Sequence, residues 1–292
     1  MGLQLPKRAA GNLRRVTLLS ILGTSLLVLT VCSSETKVEC SRFAMPDPAS
    51  EQGEHILNLW QGAWIAALVT GVIVWGLILY AVVAFRRRDP DEIPIQTRYN
   101  LPLEIFYTIA PIIMVIVFFA HTVKVQDTVL DDTVEPDHTI EVVGQQWSWT
   151  FNYTGEDAVG GQNVYTSGTA SDIPTLYLPV NETTRFNLHS PDVVHDFGVP
   201  GFLMKMDVIP GRVNHYAITP KTIGDYAGKC YELCGVYHQR MLFNVRVVSS
   251  ADYEAHLQDL EAAGRVSEEP LLGGADATTQ SGLGSGEEGG SR

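Results

Sequence analysis

Four residues whose side chains can bind a metal ion lie close together in the last third of the chain. Cys230, Cys234, His238 and Met241 fall within twelve consecutive positions. Thiolate, imidazole and thioether together form the soft donor set that selects copper in electron-transfer sites, where a methionine is a weak ligand. A single copper needs only one cysteine, whereas two thiolates on one loop can each bridge two metal ions. The segment therefore indicates a metal centre, and its second cysteine favours a dinuclear one.

A dinuclear centre also needs a second imidazole from elsewhere in the fold. The best candidate is His195, in the segment Ser190 to Phe197, which we predict to be a loop between strands. The other histidines have no comparable neighbours in the sequence. We therefore predict surface or loop roles for His55, His121, His138, His189, His215 and His256.

Three other interpretations of the two cysteines stay open at this point. Cys230 and Cys234 could form a disulfide in an oxidising compartment. They could hold structural zinc with two histidines, although zinc sites usually space their cysteines differently and need no methionine. They could also be ordinary core residues. Composition alone does not choose between copper and the disulfide.

The N-terminal segment has the pattern of an export signal. An apolar stretch from Val16 to Val31 follows four basic residues, which predicts a secretory signal over residues 1–31. Leu29 to Cys32 resembles a bacterial lipobox, in which the cysteine becomes lipidated. Ordinary cleavage and an uncleaved span are the alternatives. Cys40 has no motif around it, and we interpret it as a free thiol.

Two further apolar stretches predict a transmembrane hairpin at residues 55–125, with spans at about 60–85 and 104–124. The short loop between the spans is basic, and the positive-inside rule therefore places it in the cytoplasm and both outer ends outside the cell. We expect a multi-pass protein of a cell membrane, with the lipid bilayer as a partner. The basic residues of the loop are Arg86, Arg87, Arg88 and Arg98.

From residue 126 onward, short alternating apolar runs separated by glycine and proline predict an all-β sandwich or barrel. Residues 251–263 predict a closing helix, and beyond Gly264 we expect a disordered acidic tail to residue 292. The net charge of −13 argues against nucleic acid as a partner. The predicted strands are 139–143, 147–153, 175–178, 185–188, 214–218 and 242–248.

As a set, these motifs resemble subunit II of the haem–copper cytochrome c oxidases. The resemblance rests on Cys-x-Glu-x-Cys-Gly-x-x-His-x-x-Met at 230–241, on Asp-Val-x-His at 192–195 and on Gly-Gln-Gln-Trp-Ser-Trp at 144–149. It covers about residues 55–250. It implies a mainly β, cupredoxin-like barrel at 126–250, outside the cell, carrying a dinuclear copper centre of the CuA type on the membrane hairpin.

The resemblance also implies individual roles. Trp147 matches the tryptophan through which electrons enter, and Glu104 matches the glutamate at the entrance of a proton channel. Glu104 could equally be an acid favoured by the dipole of a helix N-terminus. The implied metal ligands are Cys230 and Cys234 bridging two coppers, His195 and His238 on one copper each, Met241 as a weak ligand, and Glu232, whose carbonyl would bind copper and whose side chain would reach a magnesium ion shared with the catalytic subunit.

The implied function is that of a respiratory-chain subunit in the plasma membrane of a bacterium. Electrons from cytochrome c, or from a membrane-bound cytochrome c donor, would pass through copper to haem in subunit I. There oxygen is reduced to water and protons are pumped, with subunit III as a further partner. No Cys-x-x-Cys-His occurs, so the donor haem must be on another protein. The alternatives are a copper-free quinol oxidase subunit II and a membrane-tethered copper carrier.

Overall fold

The computed structural model describes residues 41–89, 91 and 93–274. The predicted signal segment, the lipidation site at Cys32, the thiol of Cys40 and the tail from residue 275 lie outside this part. The chain divides into two units at Pro46. The fold described below belongs to the second unit.

Two long apolar helices open this unit, α1 (Glu51–Ala84) and α2 (Leu101–Val129). Both are long and apolar enough to cross a bilayer, and the apolar windows of both are exposed in the isolated chain, as lipid contact requires. The helices begin before the predicted spans because polar caps set their starts. The side chain of Ser50 accepts the N–H of Gly53, and that of Asn100 accepts the N–H of Leu103.

Main-chain hydrogen bonds join the start of α1 to the β domain. The N–H of Ala49 donates to the carbonyl of Gly201 at 2.7 Å, and the N–H of Lys221 donates to the carbonyl of Ala49 at 2.8 Å. The N–H of Glu51 donates to the carbonyl of Thr219. The first membrane helix and the β domain are thus connected by backbone contacts as well as by the chain.

The rest of the described unit is a mainly β domain built from two sheets. One has the strand order β11-β3-β2-β1-β5-β8 and the other β4-β10-β9-β6-β7. The pairs β1–β5 and β4–β10 are parallel, and the remaining pairs are antiparallel. The prediction of a mainly β, cupredoxin-like fold with two apolar helices is confirmed. The strands are β1 (His138–Gln145), β2 (Ser148–Thr154), β3 (Asn163–Ser167), β4 (Thr175–Pro179), β5 (Thr184–His189), β6 (His195–Val199), β7 (Met204–Val208), β8 (Asn214–Ile218), β9 (Gly224–Cys230), β10 (Leu242–Val248) and β11 (Val266–Ser267).

Aromatic rings fill the space between the sheets. Phe197 of β6 stacks on Phe243 of β10 with ring centroids 4.7 Å apart, and Trp149 of β2 meets both edge-on. Gly228 of β9 pairs with Phe243, and a Cβ there would lie 2.1 Å from the ring. The core therefore fixes the positions of β6, β9 and β10, the strands that flank the cysteine segment.

One prediction about the site is wrong in its secondary structure. His195 is the first residue of strand β6 and does not lie in a loop. It pairs with Val208 of β7 and is fully buried. The sequence predicts a loop here because Pro191 and two aspartates interrupt the apolar pattern. In the folded domain, the segment from His195 forms a strand because it pairs with β7 and β9.

The segment after the closing helix also differs from the prediction. Helix α3 spans Ser250–Ala262, and the chain beyond Gly264 returns to the larger sheet, where β11 pairs with β3. The buried side-chain amide of Asn152 then accepts the N–H of Leu271 at 2.8 Å and donates to its carbonyl at 3.4 Å. Residues 265–274 are therefore an ordered part of the domain, because Asn152 supplies the hydrogen bonds that a strand would.

The prediction of surface or loop positions is wrong for several histidines. His189 of β5 bonds to Glu141 of β1 at 2.5 Å, and His256 of α3 stacks on Tyr177. His138 of β1 lies between two carboxylates that are distant in sequence, those of Glu156 and Glu182.

The ion pairs of His138 with Glu156 and Glu182 connect β1 to two loops. Through Glu156, they also connect β1 to Tyr253 of α3. Nδ1 lies 3.0 Å from Glu156 and Nε2 lies 2.7 Å from Glu182. The hydroxyl of Tyr253 on α3 donates to the same Glu156 carboxylate at 2.9 Å. Burial opposes the charged ring, but the two carboxylates outweigh it and raise the pKa of His138 to about 9.

The raised pKa predicts a pH-dependent stability. A histidine whose pKa rises from 6.5 to about 9 on folding stabilises the fold fully below pH 6.5, and this contribution is lost as the pH rises through 9. We expect about 3 kcal/mol of unfolding free energy to disappear across that range. Denaturant unfolding of the full chain in detergent, followed by near-ultraviolet circular dichroism, measures it.

The His138→Gln variant is expected to remove most of this pH dependence. His55→Gln is the matched control, because His55 is exposed on α1. Equal pH profiles for wild type and His138→Gln would contradict the assignment.

Candidate metal centre

Five side chains that sequence reasoning singled out meet at one end of the β domain. Cys230 ends β9, and Met241 immediately precedes β10. The two sulfurs of Cys230 and Cys234 lie 3.9 Å apart. Nδ1 of His195 lies 3.9 Å from the Cys230 sulfur, Nδ1 of His238 lies 3.6 Å from the Cys234 sulfur, and the Met241 sulfur lies 3.6 Å from the Cys234 sulfur.

The chemistry of this cluster fits copper better than the alternatives. Both cysteines are buried free thiols, so they do not form the disulfide. His195 and the two cysteines make a group that could hold a metal ion. The Met241 sulfur belongs to the same cluster, whereas zinc is bound by cysteine, histidine and carboxylate side chains and not by methionine. Thiol, imidazole and thioether donors at these distances match the preferences of copper.

The two thiols differ in acidity. Although burial acts against ionisation, hydrogen bonds from His195 and from main-chain groups lower the pKa of Cys230. Burial and the neighbouring Cys230 sulfur raise the pKa of Cys234 to about 12. Two adjacent thiolates repel each other, and bound cations would remove that repulsion.

Asp192 orients the ring of His195. Its Oδ1 lies 2.8 Å from Nε2 of His195, which leaves Nδ1 facing the Cys230 sulfur. A carboxylate on the far nitrogen is the usual support of a metal-binding imidazole. Burial acts to lower the pKa of His195, but hydrogen bonds to Asp192 and Cys230 raise it. Asp192 belongs to the Asp-Val-x-His motif at 192–195, but the motif alone does not show its contact with the imidazole.

The main-chain carbonyl of Glu232 faces the cluster, and its side chain faces the solvent. Its carbonyl oxygen lies 3.2 Å from the Cys230 sulfur, whereas its side chain is exposed. The carbonyl therefore faces the same space as the five side chains. The carboxylate is free to reach a neighbouring protein.

Trp147 lies in the turn between β1 and β2, beside the cysteine loop. Its ring meets Tyr237 edge-on at 5.1 Å. A Cβ on Gly235 would lie 3.0 Å from the indole nitrogen of Trp147, so this glycine allows the indole to rest on the loop. The tryptophan is half-buried and adjoins the cluster, as its expected role requires.

Glu104 lies apart from the cluster, in the first turn of α2. Its carboxylate accepts the main-chain N–H of Asn100 at 3.0 Å. Asn100 in turn caps Leu103, so the two side chains cap the helix start reciprocally. Most of helix α2, roughly 40 Å in length, separates Glu104 from the β domain.

The fold and the cluster together define a class of protein, a cupredoxin-like domain with a candidate copper site, attached to two apolar helices. The family model for the periplasmic domain of cytochrome c oxidase subunit II matches residues 138–248. A Streptomyces avermitilis protein named "probable cytochrome c oxidase subunit 2" is 46% identical over 275 residues, which cover 83% of this chain and 86% of that protein.

Cytochrome c oxidase subunit 2 of Mycobacterium tuberculosis is 33% identical over 310 residues, covering 87% of this chain and 85% of that protein. The solved periplasmic domain of subunit II of the Bradyrhizobium japonicum oxidase is 28% identical, with a TM-score of 0.40, covering 44% of this chain and 97% of that domain. The chain belongs to the cytochrome c oxidase subunit 2 family. It is thus an oxidoreductase subunit, and a membrane protein with an extracytoplasmic domain.

The contact between Gly235 and Trp147 makes a testable prediction. Gly235 has a φ of +129°, and Gly155 has a φ of +73° with open space at its Cβ position. The backbone cost is about 1–2 kcal/mol for Gly155→Ala, whose φ lies near the left-handed helical region, and larger for Gly235→Ala, whose φ lies outside that region. Only Gly235→Ala is expected to displace the indole, because only there does a new methyl meet the ring.

Tryptophan fluorescence of the full chain measures this displacement, with Trp147→Phe identifying the contribution of Trp147. We expect a shift to longer wavelength in Gly235→Ala and no shift in Gly155→Ala. The same emission in both variants would show that the indole does not rest on Gly235.

Proposed function

We propose that this chain is the electron-accepting subunit of a proton-pumping haem–copper oxidase. It takes electrons from a c-type cytochrome at a dinuclear copper centre and passes them to haem in subunit I. The observation that carries the proposal is the convergence of two buried free thiols with two imidazoles and a thioether. The residues that would hold the copper are Cys230, Cys234, His195, His238, Met241 and, through its carbonyl, Glu232.

The chain's own residues provide a rigid, dry binding site. Cys230, Cys234, His195 and Met241 are each at most 4% exposed, so water is excluded from most of the ligand set. Asp192 keeps the ring of His195 from rotating. When bound, the copper pair would supply reversible one-electron transfer, with the charge shared by two metal ions. Ligands held on packed strands need little rearrangement when that charge changes.

The surface of the domain suits a soluble or tethered donor. Acidic residues concentrate in the second half of the chain, and the donor's docking face would be basic, because opposite potentials accelerate encounter. We propose Trp147 as the residue through which electrons enter. The exposed carboxylate of Glu232 would meet a magnesium ion shared with subunit I, and subunit III would complete the complex.

The proposed function also assigns a place to the two apolar helices. We propose that α1 and α2 form a hairpin in the plasma membrane of a bacterium, with the arginine-rich loop in the cytoplasm. The domain limits are then an N-terminal signal at 1–31, a hairpin within 55–125, a copper domain at 126–250, and a C-terminal helix and tail from residue 251.

Copper analysis and electron paramagnetic resonance of the purified full chain test the copper site. Two coppers per chain, with hyperfine structure from one electron shared by both nuclei, are expected for the wild type. Cys234→Ser is expected to lose the shared-electron signal, because one bridge is gone. Cys40→Ser is the control and should behave as wild type.

Two other outcomes would contradict the proposal in different ways. One localised copper in the wild type would favour a membrane-tethered copper carrier. A protein that binds no copper under any loading condition would lack the proposed function altogether.

Glu104 is proposed as the acid at the mouth of a proton path. The helix cap needs only a hydrogen-bond acceptor, which glutamine also offers, whereas proton transfer needs an ionisable group. Glu104→Gln is therefore expected to preserve the fold and slow oxygen consumption by the assembled oxidase at least several-fold. Unchanged turnover in Glu104→Gln would leave Glu104 as a cap only.

The Asn100→Ala variant separates the two roles. It weakens the same helix start and keeps the carboxylate. We expect its turnover to stay near that of wild type.

A further inference from the structure

Gln146, the residue before Trp147, is tied to both segments that carry the proposed ligands. Its main-chain N–H donates to Oδ2 of Asp192 at 2.7 Å. The other oxygen of that carboxylate lies 2.8 Å from Nε2 of His195. One carboxylate thus connects the turn that carries Trp147 to the His195 imidazole.

The side chain of Gln146 makes the second connection. Its Nε2 donates to the carbonyl oxygen of Cys234 at 2.6 Å, across 88 positions of sequence. The two hydrogen bonds reach different segments, one the segment that leads into β6 and one the cysteine loop. Because they belong to a single residue, the turn cannot move relative to either segment without breaking a hydrogen bond.

Trp147 has no polar anchor of its own among the described residues. Its indole nitrogen is buried and lacks a hydrogen-bond partner there. The ring is positioned by contact alone, against the open face of Gly235 and the edge of Tyr237. Both contacts are on the cysteine loop, so the bond from Gln146 to Cys234 sets the distance between the ring and that loop.

We propose that Gln146 is a positioning residue for electron transfer, holding Trp147 against the cysteine loop. The inference rests on the proposed function of Trp147 and of the copper ligands. In the step concerned, one electron leaves the reduced haem iron of the donor and reduces the copper centre, while Gln146 keeps its oxidation state. Electron tunnelling weakens steeply with distance, so a small shift of the indole has a measurable effect on rate.

Gln146→Met is the informative variant. Methionine has a similar length, keeps the main-chain N–H to Asp192, and removes only the amide that donates to Cys234. Gln162→Met is the matched control, because Gln162 is exposed in the loop before β3. Two measurements are made on each variant, one without metal and one in the assembled oxidase.

The first measurement is fluorine NMR of the metal-free full chain in detergent, labelled with 5-fluorotryptophan. The chain has five tryptophans, and Trp147→Phe identifies the resonance of Trp147. We expect that resonance to shift and narrow in Gln146→Met, because the ring gains mobility. It should be unchanged in Gln162→Met.

The second measurement is flash-induced electron transfer from a ruthenium-labelled soluble c-type cytochrome to the oxidase. We expect the rate of copper reduction at saturating donor to fall several-fold in Gln146→Met, because tunnelling weakens steeply as the indole moves away from the cysteine loop. Copper content and the paramagnetic resonance spectrum should match those of wild type.

The outcomes separate this inference from the proposed function. Wild-type NMR and wild-type rates in Gln146→Met would overturn the positioning role and leave the copper site standing. Loss of copper in Gln146→Met would also overturn it, because Gln146 would then support the ligands. If wild-type oxidase binds no copper, the proposed function itself fails and this inference fails with it. If Trp147→Phe transfers electrons at the wild-type rate, the entry role of Trp147 and this inference fail, whereas the copper site stands.

Discussion

The site depends on keeping two thiols close together and unbonded. Cys230 and Cys234 are held 3.9 Å apart at the end of the β9–β10 hairpin, where the N–H of Cys230 donates to the carbonyl of Met241 at 3.0 Å. This hydrogen bond closes the base of the loop, and the stacked Phe197 and Phe243 rings fix the strands beneath it. The core therefore sets the distance between the two sulfurs. At this distance, burial and the Cys230 sulfur raise the pKa of the Cys234 thiol.

The polar contacts that attach the C-terminal part of the chain to the β domain lie apart from the proposed metal ligands. The buried His138–Glu156–Tyr253 contacts attach α3, and Asn152 attaches the segment around Leu271. These polar contacts make no use of the metal ligands. Because Cys230, Cys234 and Met241 also belong to the buried core, a replacement of nearly equal size such as Cys234→Ser tests the proposed copper site with the least loss of packing.

The sequence predicted those parts of the molecule whose signals are local. The cysteine, histidine and methionine donors fall within twelve positions, and the two apolar spans are each visible as one uninterrupted run. The strand at His195 escaped prediction because Pro191 and two aspartates interrupt its apolar pattern. The contacts of Gln146 and His138 escaped prediction because their partners are far away in the chain. Gln146 bonds to Cys234 across 88 positions and His138 to Glu182 across 44, and no local pattern marks such pairs.

In the proposed membrane hairpin, the β domain is connected to the helices at two points. Helix α2 runs into the domain through the short segment before β1, and the start of α1 is hydrogen-bonded to Gly201 and Thr219. A domain attached to one helix could swing, whereas attachment to two helix ends, on the same membrane face in the proposed hairpin, would restrict both its tilt and its height. Electron transfer from the proposed copper centre to an acceptor in the membrane needs a constant distance. In that proposal, the backbone contacts at Ala49 and Glu51 would help to hold the proposed ligands at a constant distance from the acceptor.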